Sequence, residues 1–488
     1  MREEVLRLSE VTYVEQGVVQ LEDFCLSVFA GEIVGVLHRS GHGISALIDL
    51  LRLNLPLRAG SVYYRGERVN SWRAPGRHDN RIGVIKSQSS LVEDLTVADN
   101  IFVLRPGFRS WLVRPRVLAG QVQPVLDSLG VDIRADALVS ALSPFERVVV
   151  ELVKAVVAGC RLIILREIGT IISDVELERL HALLRRYARQ GISFLYISYH
   201  YEELMQLCDR TAVYSNGRII TVLTLKDGDA LYGGDYLERV REQLRQSPAS
   251  RPASSALELR DLRGGAVRGV SLTAAPGECV VLQDLQNLVF GDLISILLGE
   301  RRAEGGEILL GGKPFSPHPT REIAIIRELP DVSMIFPEMS CLDNLCMTVD
   351  HRLPEIWRSR RAREGLRREW AQRMGEDVFT LYPDRMTRRQ RYDVVYQRIL
   401  LQRPRVVLCV QPFRGADLDT RMHIWELLEE LLHSGAAVVI LAVNLADAFT
   451  LADRLVRVRR GASCEVYERS EFDRLPFSAP WLNLYRTP

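Results

Sequence analysis

Lysine and cysteine, which often bind phosphate or carry out nucleophilic and metal chemistry, give a first indication of what this chain can do. The eight cysteines are scattered, with no Cys-x-x-Cys pair and no histidine at metal-ligand spacing, so they are expected to be free thiols. No serine lies between elbow glycines, and there is no His-Glu-x-x-His motif. The residues therefore predict neither a hydrolase triad nor a metal centre. Of the 63 basic residues only four are lysines: Lys86, Lys154, Lys226 and Lys313.

The length and composition limit the classes of protein to consider. A chain of 488 residues exceeds what one hydrophobic core usually supports, so two or three domains are expected. A formal net charge of +1 gives no field that would attract nucleic acid, and no nucleic-acid partner is expected. No apolar run approaches the roughly 18 residues that span a bilayer. We therefore expect a cytoplasmic protein that reaches a membrane only through a partner.

The same order of elements occurs twice along the chain. Residues 24–37 (FCLSVFAGEIVGVL) and 270–282 (VSLTAAPGECVVL) both pass through a Gly-Glu turn into an apolar, β-branched run that is typical of a buried parallel strand. In both halves a hairpin pattern, a helix, two more buried strands and an Asp-Arg step follow. Residues 246–256 (QSPASRPASSA) are rich in Ser, Pro and Ala. The pattern predicts two α/β domains, residues 1–245 and 257–488, joined by a linker over 246–256.

Four segments in this order resemble the tandem ATP-binding subunit of bacterial ribose, galactose and xylose importers. They are IGVIKSQSSLVEDLTVADNIF, LSPFERVVVELVKAVV, FLYISYHYEELMQLCDRTAVYSNGR and QPFRGADLDTRMHIWELLEELL. The resemblance covers nearly the whole chain. It implies two ATP-binding-cassette domains of the P-loop NTPase type, each with a mixed sheet and a helical subdomain over about residues 88–145 and 328–388. It also implies ATP and Mg²⁺ as ligands, a transmembrane sugar permease as partner and, through the permease, a periplasmic-type sugar-binding protein.

The phosphate-binding loop that this family uses is altered in both halves. Such a loop needs glycine N–H groups around the phosphates, a lysine, and a Ser or Thr on Mg²⁺. In the first half, His38 replaces the first glycine and Ile44 the lysine, whereas Gly41, Gly43 and Ser45 match the family pattern. In the second half the loop begins at Asp284, which should repel phosphate, and none of its residues suits a phosphate cradle. The sequence therefore places a degenerate nucleotide site at Gly41, Gly43 and Ser45, together with Ser143 of the signature motif.

The carboxylates that should hold Mg²⁺ and polarise water are also changed. The first half has Arg166-Glu167 and the second Val410-Gln411, so only Glu167 keeps a catalytic residue type. A role for Glu167 as an ion-paired or hydrogen-bonded carboxylate is favoured over catalysis. The buried guanidinium of Arg166 needs acceptors, and we predict that it pairs with Glu167, with Asp174 or with loop carbonyls near residues 41–43.

The remaining family positions depart from the pattern as well. At the signature motif, Ser143 is followed by Pro144 and Phe145, and in the second half an arginine pair, Arg388-Arg389, follows Thr387; these side chains are expected to fill the space of a γ-phosphate. Ser87 stands at the glutamine position of the Q-loop, with Gln88 one residue late. Tyr199 stands at the switch histidine, with His200 one residue late. His38 and His42 are interpreted as surface-loop residues and His200 as a polar residue at a strand end.

Two function classes fit these observations. One is a catalytically impaired pseudo-ATPase that acts as a scaffold or regulator on a permease. The other is a slow but genuine ATPase that powers carbohydrate import. The loss of lysine, acidic metal ligand and signature glycines at both sites favours the first, because each missing electrostatic group can be worth about 3 kcal/mol in a transition state.

Overall fold

Two units make up the chain in the computed structural model. Residues 3–224 belong to the first unit and residues 255–475 to the second. Most of the predicted linker, residues 246–254, lies outside the described residues, so the domain limits 1–245 and 257–488 stay a prediction. The structure describes residues 3–38, 42–74, 76, 79–102, 115–224, 255–348, 360–375, 379, 381–445 and 448–475.

The first unit contains two sheets. Its antiparallel sheet has the order β2-β1-β4-β5, and its mixed sheet has the order β10-β9-β3-β8-β7-β6. Strand β3 lies inside the mixed sheet and pairs in parallel with β8 and β9. The strands are β1 (Glu4–Glu15), β2 (Val18–Phe29), β3 (Ile33–His38), β4 (Ala59–Tyr64), β5 (Glu67–Ser71), β6 (Ile82–Lys86), β7 (Leu162–Arg166), β8 (Ser193–Ser198), β9 (Arg210–Ser215) and β10 (Arg218–Thr224).

Helices of the first unit connect these strands. The apolar side of α1 packs with both sheets into one core that includes Leu47, Leu50 and Leu51. A capping box at Ser143 starts α4, because a serine followed by a glutamate at the third helical position satisfies two helix-end groups. The helices are α1 (Ile44–Leu53), α2 (Val97–Phe102), α3 (Pro115–Ser128), α4 (Pro144–Val157), α5 (Asp174–Arg189) and α6 (Tyr201–Leu207), with 3-10 turns at Val139–Ala141 and Ile168–Thr170.

The second unit repeats the strand order of the first. Its antiparallel sheet is β12-β11-β14-β15 and its mixed sheet, read from the β20 edge, is β20-β19-β13-β18-β17-β16. The repeat predicted from the sequence is therefore confirmed. The strands are β11 (Leu257–Gly264), β12 (Val267–Ala274), β13 (Cys279–Asp284), β14 (Gly305–Leu310), β15 (Lys313–Pro314), β16 (Ile323–Ile326), β17 (Val406–Val410), β18 (Ala437–Ala442), β19 (Arg454–Arg459) and β20 (Ala462–Glu468).

Helices of the second unit pack on its sheets and on one another. A separate cluster around Leu345, Trp370 and Val394 corresponds to the predicted helical subdomain, and the main core lies around the sheets. The helices are α7 (Phe290–Leu297), α8 (Pro330–Ser333), α9 (Cys341–Cys346), α10 (Arg360–Met374), α11 (Arg388–Gln402), α12 (Leu418–His433) and α13 (Ala448–Leu451), with 3-10 turns at Pro383–Arg385 and Arg469–Arg474. The α/β fold with a mixed sheet and a helical subdomain in each half is confirmed.

Candidate functional site

The loop between β3 and α1 positions the predicted site residues of the first unit. Gly43 has a φ of 76°, and a Cβ there would lie 2.2 Å from the Tyr214 hydroxyl and 2.3 Å from the Gln20 carbonyl oxygen, so only glycine fits. Ile44 is fully buried in the core and Ser45 is exposed on the first turn of α1. Gly41 lies outside the described residues. Ile44 thus points inward, because its apolar side chain gains more from burial than from an exposed loop.

Arg166, the last residue of β7, bridges two of the predicted site residues. Its Nη1 donates to Ser45 Oγ at 2.7 Å and its Nε donates to Glu167 Oε1 at 3.2 Å. Both Arg166 and Glu167 are largely shielded from solvent, with side-chain exposures of 21% and 11%. The predicted pairing of Arg166 with Glu167 is confirmed, and the contact with Ser45 is a further one that the sequence did not indicate. A permanent positive charge therefore lies on the hydroxyl that the family resemblance assigns to Mg²⁺.

His38 lies on the other side of Glu167. Its Nε2 is 3.6 Å from Glu167 Oε1, and only 1% of the residue is exposed. The interpretation of His38 as a surface-loop residue is wrong, because β3 continues to this position and pairs it with Tyr214 of β9. The interpretation of His42 is consistent with the structure, since His42 is exposed and its Nε2 contacts the Val19 carbonyl oxygen at 2.9 Å.

A buried carboxylate behind this site was not recognised in the sequence. Glu203 of α6 is completely buried, and it accepts hydrogen bonds from the Tyr196 hydroxyl and, at 2.9 Å, from the Ser198 hydroxyl. His200 Nδ1 and His181 Nε2 lie 3.7 Å and 4.0 Å from its carboxylate oxygens. Four of the five residues lie within positions 196–203, on β8, α6 and the turn between them, whereas His181 comes from α5.

The pKa values in this cluster are strongly shifted. Burial would raise the pKa of the Glu203 carboxyl, but the hydrogen bond and charge of His200, with His181 and Tyr196, hold that pKa below its usual value. Burial lowers the pKa of His181 from 6.5 to about 4, against the opposing effect of Glu203. The segment after β7 contacts the carboxylate of Glu203, since a Cβ on Gly169 would lie 2.7 Å from Glu203 Oε1. Glu203 therefore braces the loop that carries Glu167.

The signature-like residues serve their own helices. Ser143 Oγ accepts from the Glu146 N–H at 3.3 Å, and Thr387 caps α11 in the same way. Phe145 is only 3% exposed and has the Arg179 guanidinium 5.0 Å above its ring, so the expectation that it fills the space of a γ-phosphate is wrong. An apolar ring at the first turn of α4 is more stable in the core. No contact among the described residues joins Ser143 to Ser45, Arg166 or Glu167.

In the second unit, an internal carboxylate fills the corresponding loop. Asp284 is the register counterpart of His38 at the end of β13, and it is fully buried. It accepts hydrogen bonds from the N–H groups of Gln286 at 3.1 Å, Leu288 at 2.5 Å and Val289 at 2.8 Å. Converging backbone N–H groups of this kind form a nest that binds anions. Asp284 supplies the anion itself, so it does more than repel phosphate as the sequence suggested.

The residues after β7 and β17 have equivalent backbones and different chemistry. Glu167 and Gln411 both have positive φ values, 56° and 42°, and each N–H donates at 2.9 Å to a carbonyl of the neighbouring strand. Gln411 Nε2 donates to Glu328 Oε1 at 2.9 Å. The predicted correspondence of Glu167 with Gln411 is consistent with this geometry.

The switch-like and Q-loop-like residues also have defined positions. Tyr199 is buried, and its ring centroid lies 5.8 Å from that of His38. His200 is 4% exposed, as expected of a polar residue at a strand end, and it contacts Glu203. Ser87 is half-buried and Gln88 is exposed, immediately after β6. The histidine side chain at 200 therefore points to the Glu203 cluster.

The described part of the chain shows neither a metal-binding group nor a membrane-spanning helix. Within it, no three His, Cys, Asp or Glu side chains are grouped to hold a metal ion. None of the helices in the same residues is long and apolar enough to cross a membrane.

Comparison with known proteins identifies relatives along the whole chain. A family profile described as ABC transporter matches residues 21–168. Arabinose import ATP-binding protein AraG 2 of Burkholderia ambifaria is 30% identical over 475 residues, covering 94% of this chain and 90% of that protein. Ribose import ATP-binding protein RbsA 1 of Burkholderia ambifaria is 27% identical over 483 residues, covering 94% and 92%. A solved structure of an RNase-L inhibitor shares the fold with a TM-score of 0.63 at 14% identity, covering 96% of this chain and 92% of that chain.

Proposed function

Because the chain belongs to the ABC transporter family, among the tandem ATP-binding subunits of sugar importers, we propose that it is a pseudo-ATPase: a cassette pair that docks on a sugar permease as scaffold or regulator without turning over ATP. The observation that carries this proposal is the bridge from Arg166 to Ser45 and Glu167. The residues present do not fit Mg²⁺, because a guanidinium occupies the hydroxyl and the carboxylate that would face the ion. The first unit therefore keeps a site that is closed by its own cation.

The second unit supports the proposal independently. Its loop amides already bind a buried carboxylate, that of Asp284, and a nucleotide phosphate would have to displace this negative charge. The carboxamide of Gln411 replaces a catalytic carboxylate and donates to Glu328. The two units are thus closed by groups of opposite charge, and among the residues that the structure describes neither unit groups the metal ligands that phosphoryl transfer requires.

Nucleotide binding provides the direct test. A ligand at a hundredfold its dissociation constant stabilises a fold by about 2.7 kcal/mol, which gives a clear melting shift. We expect no Mg²⁺-dependent shift with millimolar Mg-ATP and no phosphate release above background. Ile44→Lys alone should not restore either, since Ile44 is buried in the core and Arg166 remains in place.

The variants Ser45→Ala and Glu167→Gln decide between this proposal and a slow genuine ATPase. A Mg²⁺-dependent melting shift that Ser45→Ala removes would show that the first unit still binds metal and nucleotide. Phosphate release that Glu167→Gln removes would show catalysis. Either result would establish the second function class and refute the pseudo-ATPase.

The proposed partner is a transmembrane permease, and through it a sugar-binding protein. The protein would then act at the cytoplasmic face of the membrane. An exposed apolar patch follows β16 in the second unit, and exposed apolar groups close together mark interaction sites. It consists of Leu329, Val332, Phe336 and Met339, with exposures of 38%, 72%, 44% and 38%.

Val332→Asp in this patch is expected to reduce co-purification with the permease encoded beside the gene by about tenfold or more, since a buried interface anchor typically contributes about 2 kcal/mol. Val466→Asp is the matched control. Val466 is 54% exposed and lies on β20, at the opposite edge of the same sheet. Equal losses for both variants, or none for Val332→Asp, would remove the patch as the docking surface.

A further inference from the structure

The segment that follows β16 in the second unit is held by the segment that follows β17. Glu328 accepts a hydrogen bond from Gln411 at 2.9 Å and forms an ion pair with Arg414. Both charged side chains are about one-third exposed. In the first unit the register counterpart of Glu328 is Ser87, whose hydroxyl has no charge to pair.

A second ion pair ties the same segments to α11. Arg388 Nε donates to Asp331 Oδ2 at 3.1 Å, and Arg388 Nη1 donates to the Gly415 carbonyl oxygen at 2.8 Å. Asp331 is only 5% exposed, and the Tyr392 ring lies 5.7 Å beneath the guanidinium. One arginine therefore joins the segment after β16, the segment after β17 and the first turn of α11.

The backbone of these segments is strained. Leu329 has a φ of 47°, a left-handed conformation that bulky residues avoid. Such residues persist only where their surroundings fix them. Leu329 packs closely on the opposite segment, since a Cβ on Gly415 would lie 3.3 Å from Leu329 Cδ2. The strained residue and the ion pairs therefore lie at the same junction, where the segment after β16 meets the segment after β17 and α11.

We propose that Glu328, Asp331, Arg388 and Arg414 form a clamp that fixes the helical subdomain of the second unit to its sheet core, with or without nucleotide. The Asp331 side chain is only 5% exposed at this junction, so its charge depends on Arg388 for compensation. The first unit uses a different contact at the corresponding place. There Glu151 of α4 accepts hydrogen bonds from Ser89 and Ser90, and Arg147 of the same helix forms an ion pair with Glu93.

Hydrogen exchange on the full-length protein tests the clamp. In Arg388→Gln, amides of residues 327–334 and 411–417 are expected to exchange about tenfold faster or more, because loss of one partner leaves Asp331 buried and uncompensated. Glu328→Gln, which leaves Arg388 intact, should accelerate the same segments to a smaller extent. Mg-ATP should leave the exchange of the unaltered protein unchanged.

The control is Arg389→Gln at the next position. Arg389 is 65% exposed and reaches Glu426 only at 3.7 Å, so its loss should not alter exchange in either segment. The clamp is refuted if both segments exchange freely in the unaltered protein, or if Arg388→Gln and Arg389→Gln behave alike. If Arg388→Gln unfolds the whole unit, Glu328→Gln decides: exchange unchanged by that variant also refutes the clamp.

Discussion

Between pH 7 and pH 5 the first unit is expected to lose about 2 kcal/mol of its free energy of unfolding through His181 alone, since one pKa unit corresponds to about 1.36 kcal/mol. Burial lowers the pKa of His181 to about 4 in the folded state, from 6.5. Below pH 6.5 the unfolded chain binds a proton that the folded chain does not take up until about pH 4. The unfolded state therefore binds more protons in this window, and the free energy of unfolding decreases as the pH is lowered.

The charged groups that face His181 act together with it. Glu203 and Tyr196 lie against its ring, and Arg185 is on the same helix. The pKa of Glu203 is below its ordinary value of 4.5, so its contribution is lost only as pH falls below about that value, with the same sign. Glu203 therefore contributes little to the decline between pH 6.5 and pH 5, the window in which His181 of the unfolded chain takes up its proton.

Urea unfolding at several pH values, with pulsed hydrogen exchange of α5 and β8 to assign the transition, measures this effect. His181→Gln should flatten the decline between pH 6.5 and pH 5. His318→Gln, which removes an exposed histidine of the second unit, should not. An unchanged pH dependence in His181→Gln would contradict the assignment.

Removal of the Asp284 carboxylate is expected to destabilise the second unit by about 2–4 kcal/mol, because hydrogen bonds to a charged group contribute about 1.5–3 kcal/mol each and two of the three freed amides can turn to water. The third amide, of Val289, belongs to a fully buried residue. Denaturant midpoints of Asp284→Ala, followed by pulsed exchange of β13 and α7, measure the change.

Two variants set the scale for Asp284→Ala. Asp284→Asn keeps one acceptor oxygen and should lose less stability. Asp384→Ala removes an exposed carboxylate of the same unit and should stay within about 0.5 kcal/mol of the unaltered protein. If Asp284→Ala matched Asp384→Ala, the carboxylate would have no role in holding the loop.

The parts of the fold that the sequence predicts are those with a local signal. The apolar runs that become β3 and β13 show their burial in their own composition, and their repetition predicts two units with one strand order. The pairing of Arg166 with Glu167 is also local, since the two residues are adjacent. The contact between Arg166 and Ser45 spans 121 positions and depends on the sheet register, so no pattern indicates it.

His38, Glu203 and Asp284 have structural roles that the sequence did not predict. His38 precedes a glycine-containing loop, which suggests a surface position, but one further ladder pair keeps it inside the sheet. Glu203 was missed although three of its partners lie at positions 196–200, because the composition of that segment does not show that the carboxylate is buried, and its fourth partner, His181, lies on α5. The charge of Asp284 is evident from its residue type, which predicts the repulsion of phosphate. Its capture of three amides requires the backbone path of residues 285–289, which composition does not determine.

The buried carboxylate of Asp284 makes the loop of the second unit hard to change by single substitutions. A lysine returned to the loop by a single mutation would meet the Asp284 carboxylate and pair with it before any phosphate arrived. A first mutation that removed Asp284 would cost stability at once and gain no ligand in return. Neither order of substitution is favourable at its first step, so under the proposed function Asp284 acts as an evolutionary ratchet that preserves the folded unit and disfavours nucleotide binding.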